Sequence, residues 1–341
     1  MTWPLKIISC GAVTPVGLNA KQTCAAIRAG ISGFSDAFPL SPTDEPVVCA
    51  NVPARQTLKR SATEWLLNLA TRAISECLNY NDDFKRIVLI LVLPENHRNH
   101  PSLTSCGTDK FLNLLETRLG VRFSPESMVL QDGGAGVFQG IKHATKLLAN
   151  EIVSSCIIGG VDSMINEVDI NRLIESHRLS GVENAQGVVP GEGAAFVRVT
   201  NNTNTSAYLA NIFGVGFGIE SDNVLGNRYS QGRGLEEALL QASDISSIRE
   251  ASISFRVSDM NGERYQAWES LISECRFYRS RRENFPCWYT AAFVGNIGVA
   301  ASSLLLIIAA VGMYKGYAPG TRAMCEASSD EGLRGACIVG V

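Results

Sequence analysis

A chain of 341 residues is long enough for two ordinary domains or one large α/β unit with a sizeable core. Hydrophobic residues make up 45% and charged residues 18%, a globular composition that excludes intrinsic disorder. The net charge of -3, with basic residues scattered, argues against nucleic acid or an anionic membrane surface as a partner. The densest basic group, Arg276, Arg279, Arg281 and Arg282, reads as a solvated loop or helix face.

Residues 1–6 contain no basic stretch leading into an apolar run, so no signal peptide is expected and a cytoplasmic location is. Of the ten cysteines, Cys10, Cys77, Cys156 and Cys337 lie in apolar contexts and read as small core residues in a reducing compartment. No CxxC or Cys/His spacing suggests zinc, and neither a metal nor a cofactor is expected.

In chain order, residues 7–11 form a short apolar strand entering a turn. Apolar side chains at Trp65, Leu66, Leu69, Ala73, Ile74 and Cys77 mark one buried helical stripe within 59–80. The continuous apolar run 86–93 suits a central strand covered on both faces. A helix is expected at 108–119 and a strand at 128–130. The glycines of 133–136 open a further helix through 149, which leads to a buried strand at 155–160. A helix at 169–176 and a strand at 194–199 complete the first half.

The polar stretch 200–206 reads as a linker, dividing the chain into halves at 1–203 and 204–341. Beyond it come a strand at 207–215, a helix at 235–242, a strand at 251–257 and a terminal strand at 335–341. Residues 291–314 carry no charge and meet the ~20-residue length of a membrane span. A helix buried on every side within a layered protein has the same appearance, and is the expectation here. Strands alternating with helices on both sides of the linker give an α/β fold class.

Four local patterns, in order, resemble the β-ketoacyl synthase (thiolase-like) family. They are Gly11-Ala12-Val13-Thr14-Pro15-Val16-Gly17 with the helix behind it, Ile158-Gly159-Gly160-Val161-Asp162-Ser163, Pro190-Gly191-Glu192-Gly193-Ala194, and Gly295-Asn296-Ile297-Gly298-Val299-Ala300-Ala301-Ser302. The resemblance implies a five-layer α-β-α-β-α fold with two similar halves and two apolar helices between the sheets. It also implies a cysteine nucleophile at a helix N-terminus, where the dipole favours the thiolate, assisted by two histidines and a lysine.

None of these side chains stands where the resemblance places it. Gly133 takes the cysteine position, Asn261 and Asn296 the histidine positions, and Ala291 the lysine position, while 328–335 replaces the gating loop. Glycine has no nucleophile, and asparagine cannot exchange a proton near neutral pH. The expectation is a degenerate, catalytically inactive member with no intact catalytic residue. Cys106 reads as a bystander thiol, His97 and His100 as surface residues of a polar loop, and His143 as an interior histidine.

Charge has meanwhile collected at the same positions. Asp132, Asp259, Glu263, Arg264 and Asp330 are the candidate ligand-binding residues of a remodelled crevice. Among family members, chain-length factors lack the cysteine and work beside an active partner. A homodimer or heterodimer through the thiolase-type interface is therefore expected, with an acyl carrier protein, a synthase or a secreted effector as candidate partner. The loop Asn261-Gly262-Glu263-Arg264-Tyr265 resembles degenerate thiolase-like proteins encoded among bacterial type VI secretion effector genes, which suggests an adaptor or chaperone. The alternatives are an acyltransferase or hydrolase of acyl thioesters using Asp132 or Asp259, and a small-molecule sensor using the emptied crevice.

Overall fold

The computed structural model describes residues 3–36, 46–53, 61–149, 153–182 and 184–341. Its first half runs β1 (Leu5–Val13), α1 (Ala20–Arg28), β2 (Phe34–Asp36), β3 (Val48–Ala50), α2 (Ala62–Ser75), β4 (Ile87–Val92), α3 (Pro101–Cys106), α4 (Thr108–Leu119), β5 (Met128–Leu130), α5 (Gly136–Leu147), β6 (Ser155–Ser163), α6 (Glu167–Glu175) and β7 (Glu192–Thr200). The second half runs β8 (Ala210–Ile219), α7 (Arg233–Ser246), β9 (Phe255–Ser258), α8 (Arg264–Phe277), β10 (Cys287–Tyr289), α9 (Ala291–Val294), α10 (Ala301–Tyr314), β11 (Arg322–Ser328) and β12 (Leu333–Gly340).

The strand order is β10-β9-β11-β12-β8-β1-β7-β6-β4-β5. From the β8–β1 junction outward, both sides read the same way. β1 pairs antiparallel with β7 and β7 with β6, then β6, β4 and β5 run parallel. Likewise β8 pairs antiparallel with β12 and β12 with β11, then β11, β9 and β10 run parallel. Only Leu5, Lys6 and Ile7 of β1 pair with β8, so the two half-sheets are joined by a short seam.

Helices α5 and α10 each contact strands of both half-sheets and form the central layer. α2 lies on the outer face of the first half-sheet with α3 and α4 against it, and α7 with α8 covers the outer face of the second. This is the five-layer arrangement. Its physical consequence is visible in α10, where twelve of fourteen residues are buried and no polar face exists. A helix between two sheets has no side turned to water.

The uncharged run 291–314 is therefore not one span. It divides into α9, a bend at Gly295–Gly298 and α10, and among the described residues no helix is long and apolar enough to cross a membrane. β4 is buried at all six positions. α2 begins where Ser61 accepts a hydrogen bond from the Glu64 amide. Residues 59 and 60 of that expected helix lie outside the described residues.

Several boundaries differ from expectation. The strand expected at 207–215 starts at Ala210 and runs to Ile219. The one expected at 251–257 starts at Phe255, behind a short 3-10 turn. α8 was unforeseen because its apolar pattern is inverted. Trp268 and Leu271 are exposed while Glu269, Ser270 and Ser273 are buried. Glu269 is accommodated by Arg334, whose Nε donates to Oε2 at 2.9 Å. Periodicity cannot report a helix whose inner face is polar.

Candidate functional site

The N-termini of α5 and α10 meet the β11–β12 turn and the segment after β4. Gly133 precedes α5 with φ +71, a left-handed conformation that favours glycine. A Cβ placed on it would lie 2.5 Å from Glu95 Oε1 and 2.6 Å from Ser329 Cβ. The space a side chain needs here is already taken by the Glu95 carboxyl.

The β11–β12 turn closes the rest. Ser329 Oγ accepts from the Ala135 amide at 3.0 Å and donates to the Asp132 carbonyl at 2.6 Å, so it serves the start of α5, which has no capping side chain of its own. The Glu331 amide donates to Glu95 Oε1 at 3.3 Å, and the Ser328 amide donates to Asp259 Oδ2 at 2.8 Å. Ser302 Oγ, in the first turn of α10, donates to the Gly134 carbonyl. What remains is a cavity of about 40 Å3 lined by Glu95, Arg98, Asp259, Gln266, Asn296 and Asp330 among others. That admits a water molecule and not an acyl chain.

Around this cavity runs a continuous ion-pair network. Buried Arg98 donates to Asp162 and, through Nε and Nη2, to both oxygens of Asp169 at 3.0 and 2.7 Å. Arg172 joins Asp169 (3.1 Å) to Asp330 (3.4 Å). Arg178 holds Asp330 at 3.0 Å and grips Glu263 with two bonds of 2.7 and 2.9 Å. Three guanidiniums thus face four carboxylates. Burial alone would raise Asp169 and Asp330, yet Asp169 is held down to about 2 by Arg98, and Asp330 falls well below the usual range beside Arg178 and Arg172.

Two carboxyls at the cavity wall behave oppositely. Burial pushes Glu95 up to about 7, with the Asp330 charge adding to it, and burial pushes Asp259 up to about 7 despite the Ser328 amide. One donor atom each from Glu95, His97 and Asp330 falls within 4.8 Å of the others. A cation there would face Arg172 and Arg178, which already neutralise Asp330.

Of the sequence-derived residues, Asp259, Asp330 and Asn296 line the one cavity. Asn261 turns away, its amide donating to Glu263 Oε2 at 2.9 Å, and Gln266 occupies the cavity instead. Asn296 Oδ1 accepts from the Gly298 amide at 3.0 Å. Asp132 is exposed and contributes only its backbone carbonyl. Arg264 is exposed and borders a different hollow, with Arg172, Arg178 and Glu263. Glu263 is buried and committed to Arg178. The charged residues therefore do not converge as one open ligand site.

The surface assignment of His97 and His100 is corrected. The segment after β4 folds beneath α6, so His100 is buried with Nε2 at 2.9 Å from the Ser163 carbonyl and Nδ1 at 2.6 Å from Ser102 Oγ. His97 is half-buried, Nε2 lying 3.3 Å from Arg172, and burial lowers both histidines. Glu95, Arg98, Arg172 and Arg178 were not anticipated from the sequence. The only signal available was the charge density at Glu95 and Arg98, directly after an apolar central strand.

Two half-sheets of identical strand order, with a pair of central helices opening on one crevice, define the thiolase-like ketosynthase fold. No protein-family model matches the chain, and no curated protein matches it. Solved structures do. The ishigamide ketosynthase/chain length factor superposes with a TM-score of 0.81 at 14% identity, covering 99% of each chain. A type II PKS acyl-carrier protein in complex with its ketosynthase bound to the hexaketide gives 0.82 at 12%, covering 100% of each. The ketosynthase ApeO in complex with its chain length factor ApeC from Xenorhabdus doucetiae gives 0.77 at 16%, covering 99% of this chain and 98% of that one. At these identities the likeness is one of fold.

Proposed function

We propose that this chain is a non-catalytic ketosynthase-fold protein that works by associating with another protein, as a chain length factor does beside its ketosynthase. The observation that carries this reading is the filled crevice. Glu95 and Ser329 occupy the side-chain space of Gly133, and a cavity of about 40 Å3 leaves no room for an acyl thioester. Asp259, the remaining candidate for activating water, is tied to the Ser328 amide inside the same small cavity.

Association is supported by the end of the sheet. Among the described residues β5 pairs with β4 on one side only, and its Met128, Val129 and Leu130 are all half-buried. A short edge strand with free backbone groups is a ready site for pairing with a second chain. Two of the solved structures that share the fold contain a ketosynthase with a chain length factor.

Sedimentation of the purified chain, alone and mixed with a ketosynthase or a secreted effector from its own genome, tests the reading. A dimer, or a defined complex with either protein, is expected, and the effector arm tests the secretion-linked role. A monomer that binds neither contradicts it.

A further inference from the structure

A second cavity, of about 490 Å3, opens between α1, β10, α9 and α10. None of its lining residues borders the filled crevice. Its volume lies within the roughly 300–1,000 Å3 of small-molecule pockets.

One wall is aromatic and fixed. Trp288 and Tyr317 stack with centroids 6.2 Å apart and planes 28° apart, and Phe255 supports Trp288 at 4.9 Å. Gly312 of α10 makes room for both rings. A Cβ there would stand 3.1 Å from two Trp288 ring carbons and 3.3 Å from Tyr317 Cε2. Ile27, Phe293 and Ile308 add apolar surface. Cys24 and Cys287 also line the pocket, and burial pushes each thiol up to about 12, so they stand there as neutral small side chains rather than nucleophiles.

The single charge is Arg28. It is exposed, and its guanidinium carbon lies 4.5 Å from the Tyr317 ring centroid, held against the aromatic face. Among the described residues no carboxylate pairs with it. An apolar, aromatic-walled hollow bordered by one uncompensated guanidinium is complementary to one kind of molecule.

We propose that this pocket binds a small amphiphilic monoanion, its apolar body between the Trp288–Tyr317 wall and Ile308, its carboxylate against Arg28. A planar guanidinium matches a carboxylate with two parallel hydrogen bonds, and its stacking on Tyr317 orders it beforehand. The proposal is independent of whether the chain is catalytic.

Because Trp288 lines the pocket, its emission reports occupancy. The full chain is titrated with decanoate and, as the uncharged match, 1-decanol, with calorimetry alongside. Saturable binding is expected, decanoate being about tenfold tighter than decanol. Arg28→Gln should erase that preference and leave decanol unchanged. Ala292→Trp, placed at an exposed lining position, should abolish binding of both, and Trp288→Phe should remove the emission change while calorimetric heat persists. Circular dichroism confirms that each variant is folded. Equal affinity for the two probes, a preference that survives Arg28→Gln, undiminished binding in Ala292→Trp, or no binding of either probe overturns the proposal.

Discussion

At its N-terminal end α10 meets Glu95, Asp259, Asn296 and Asp330 around a cavity of about 40 Å3. Two turns further on, Ile308 of the same helix faces an aromatic pocket of about 490 Å3. The first region is rich in charge and almost filled; the second carries one charge and keeps its space. A buried carboxylate or guanidinium without a partner is costly, so three arginines and four carboxylates packed at one place draw together and consume the space between them. Charge density in a sequence therefore marks a site only if the charges are left unpaired. Here Glu263 and Asp330, two of the charges that marked the crevice, are taken up by Arg178, whereas at the second pocket no carboxylate among the described residues pairs with Arg28.

The contrast can be broken at either end. The largest effect is expected from Arg98→Ala, which leaves buried Asp162 without its guanidinium and Asp169 with Arg172 alone, and should cost about 3–5 kcal/mol in urea denaturation. Gly133→Cys follows. A cysteine there forces a left-handed backbone on a residue with a Cβ and drives it into Glu95, for a loss of about 2–4 kcal/mol. Unchanged stability in that variant would mean that Glu95 swings aside and the crevice opens.

Glu95→Gln sharpens the comparison through pH. The folded chain holds the Glu95 proton more tightly than the unfolded chain, whose carboxyl titrates near 4.5. Its stabilising contribution is complete below that value and is lost as pH rises through about 7, and Asp259 follows the same direction. Asp169 runs the other way. Its contribution is present above about 3.8 and lost as pH falls through about 2. The Glu95→Gln variant should therefore exceed the parent in stability by about 1–2 kcal/mol at pH 8 and gain less at pH 5, measured by urea denaturation at both values. The smallest effect belongs to Arg264→Ala. An exposed arginine without a partner among the described residues should change stability by less than about 0.5 kcal/mol.

The elements that follow one clear period were legible in the sequence. β4 is an unbroken apolar run because both its faces are covered, and α10 is apolar all round because two sheets enclose it. α8 was hidden because Arg334 reaches across to Glu269 and lets a polar face turn inward. At the crevice, residue identities were readable at Gly133 and Asn296, since absence of a nucleophile or base needs no geometry. The filling was not. Arg98, Arg172 and Arg178 reach Asp162, Asp330 and Glu263 from distant segments, and no local pattern announces a pairing across 85 or 152 positions. The aromatic pocket was equally hidden, because α1, β10 and α10 each give it only a few side chains.

The central claim is that the crevice is filled and performs no acyl chemistry. Intact-mass spectrometry after incubation with acyl-CoA and with acyl-carrier-protein thioesters, read together with thiol release, tests it most directly. The account predicts an unmodified chain and thiol release no faster than without protein. A covalent acyl adduct on a residue lining the crevice, or turnover abolished by substituting Glu95 or Asp259, would contradict it.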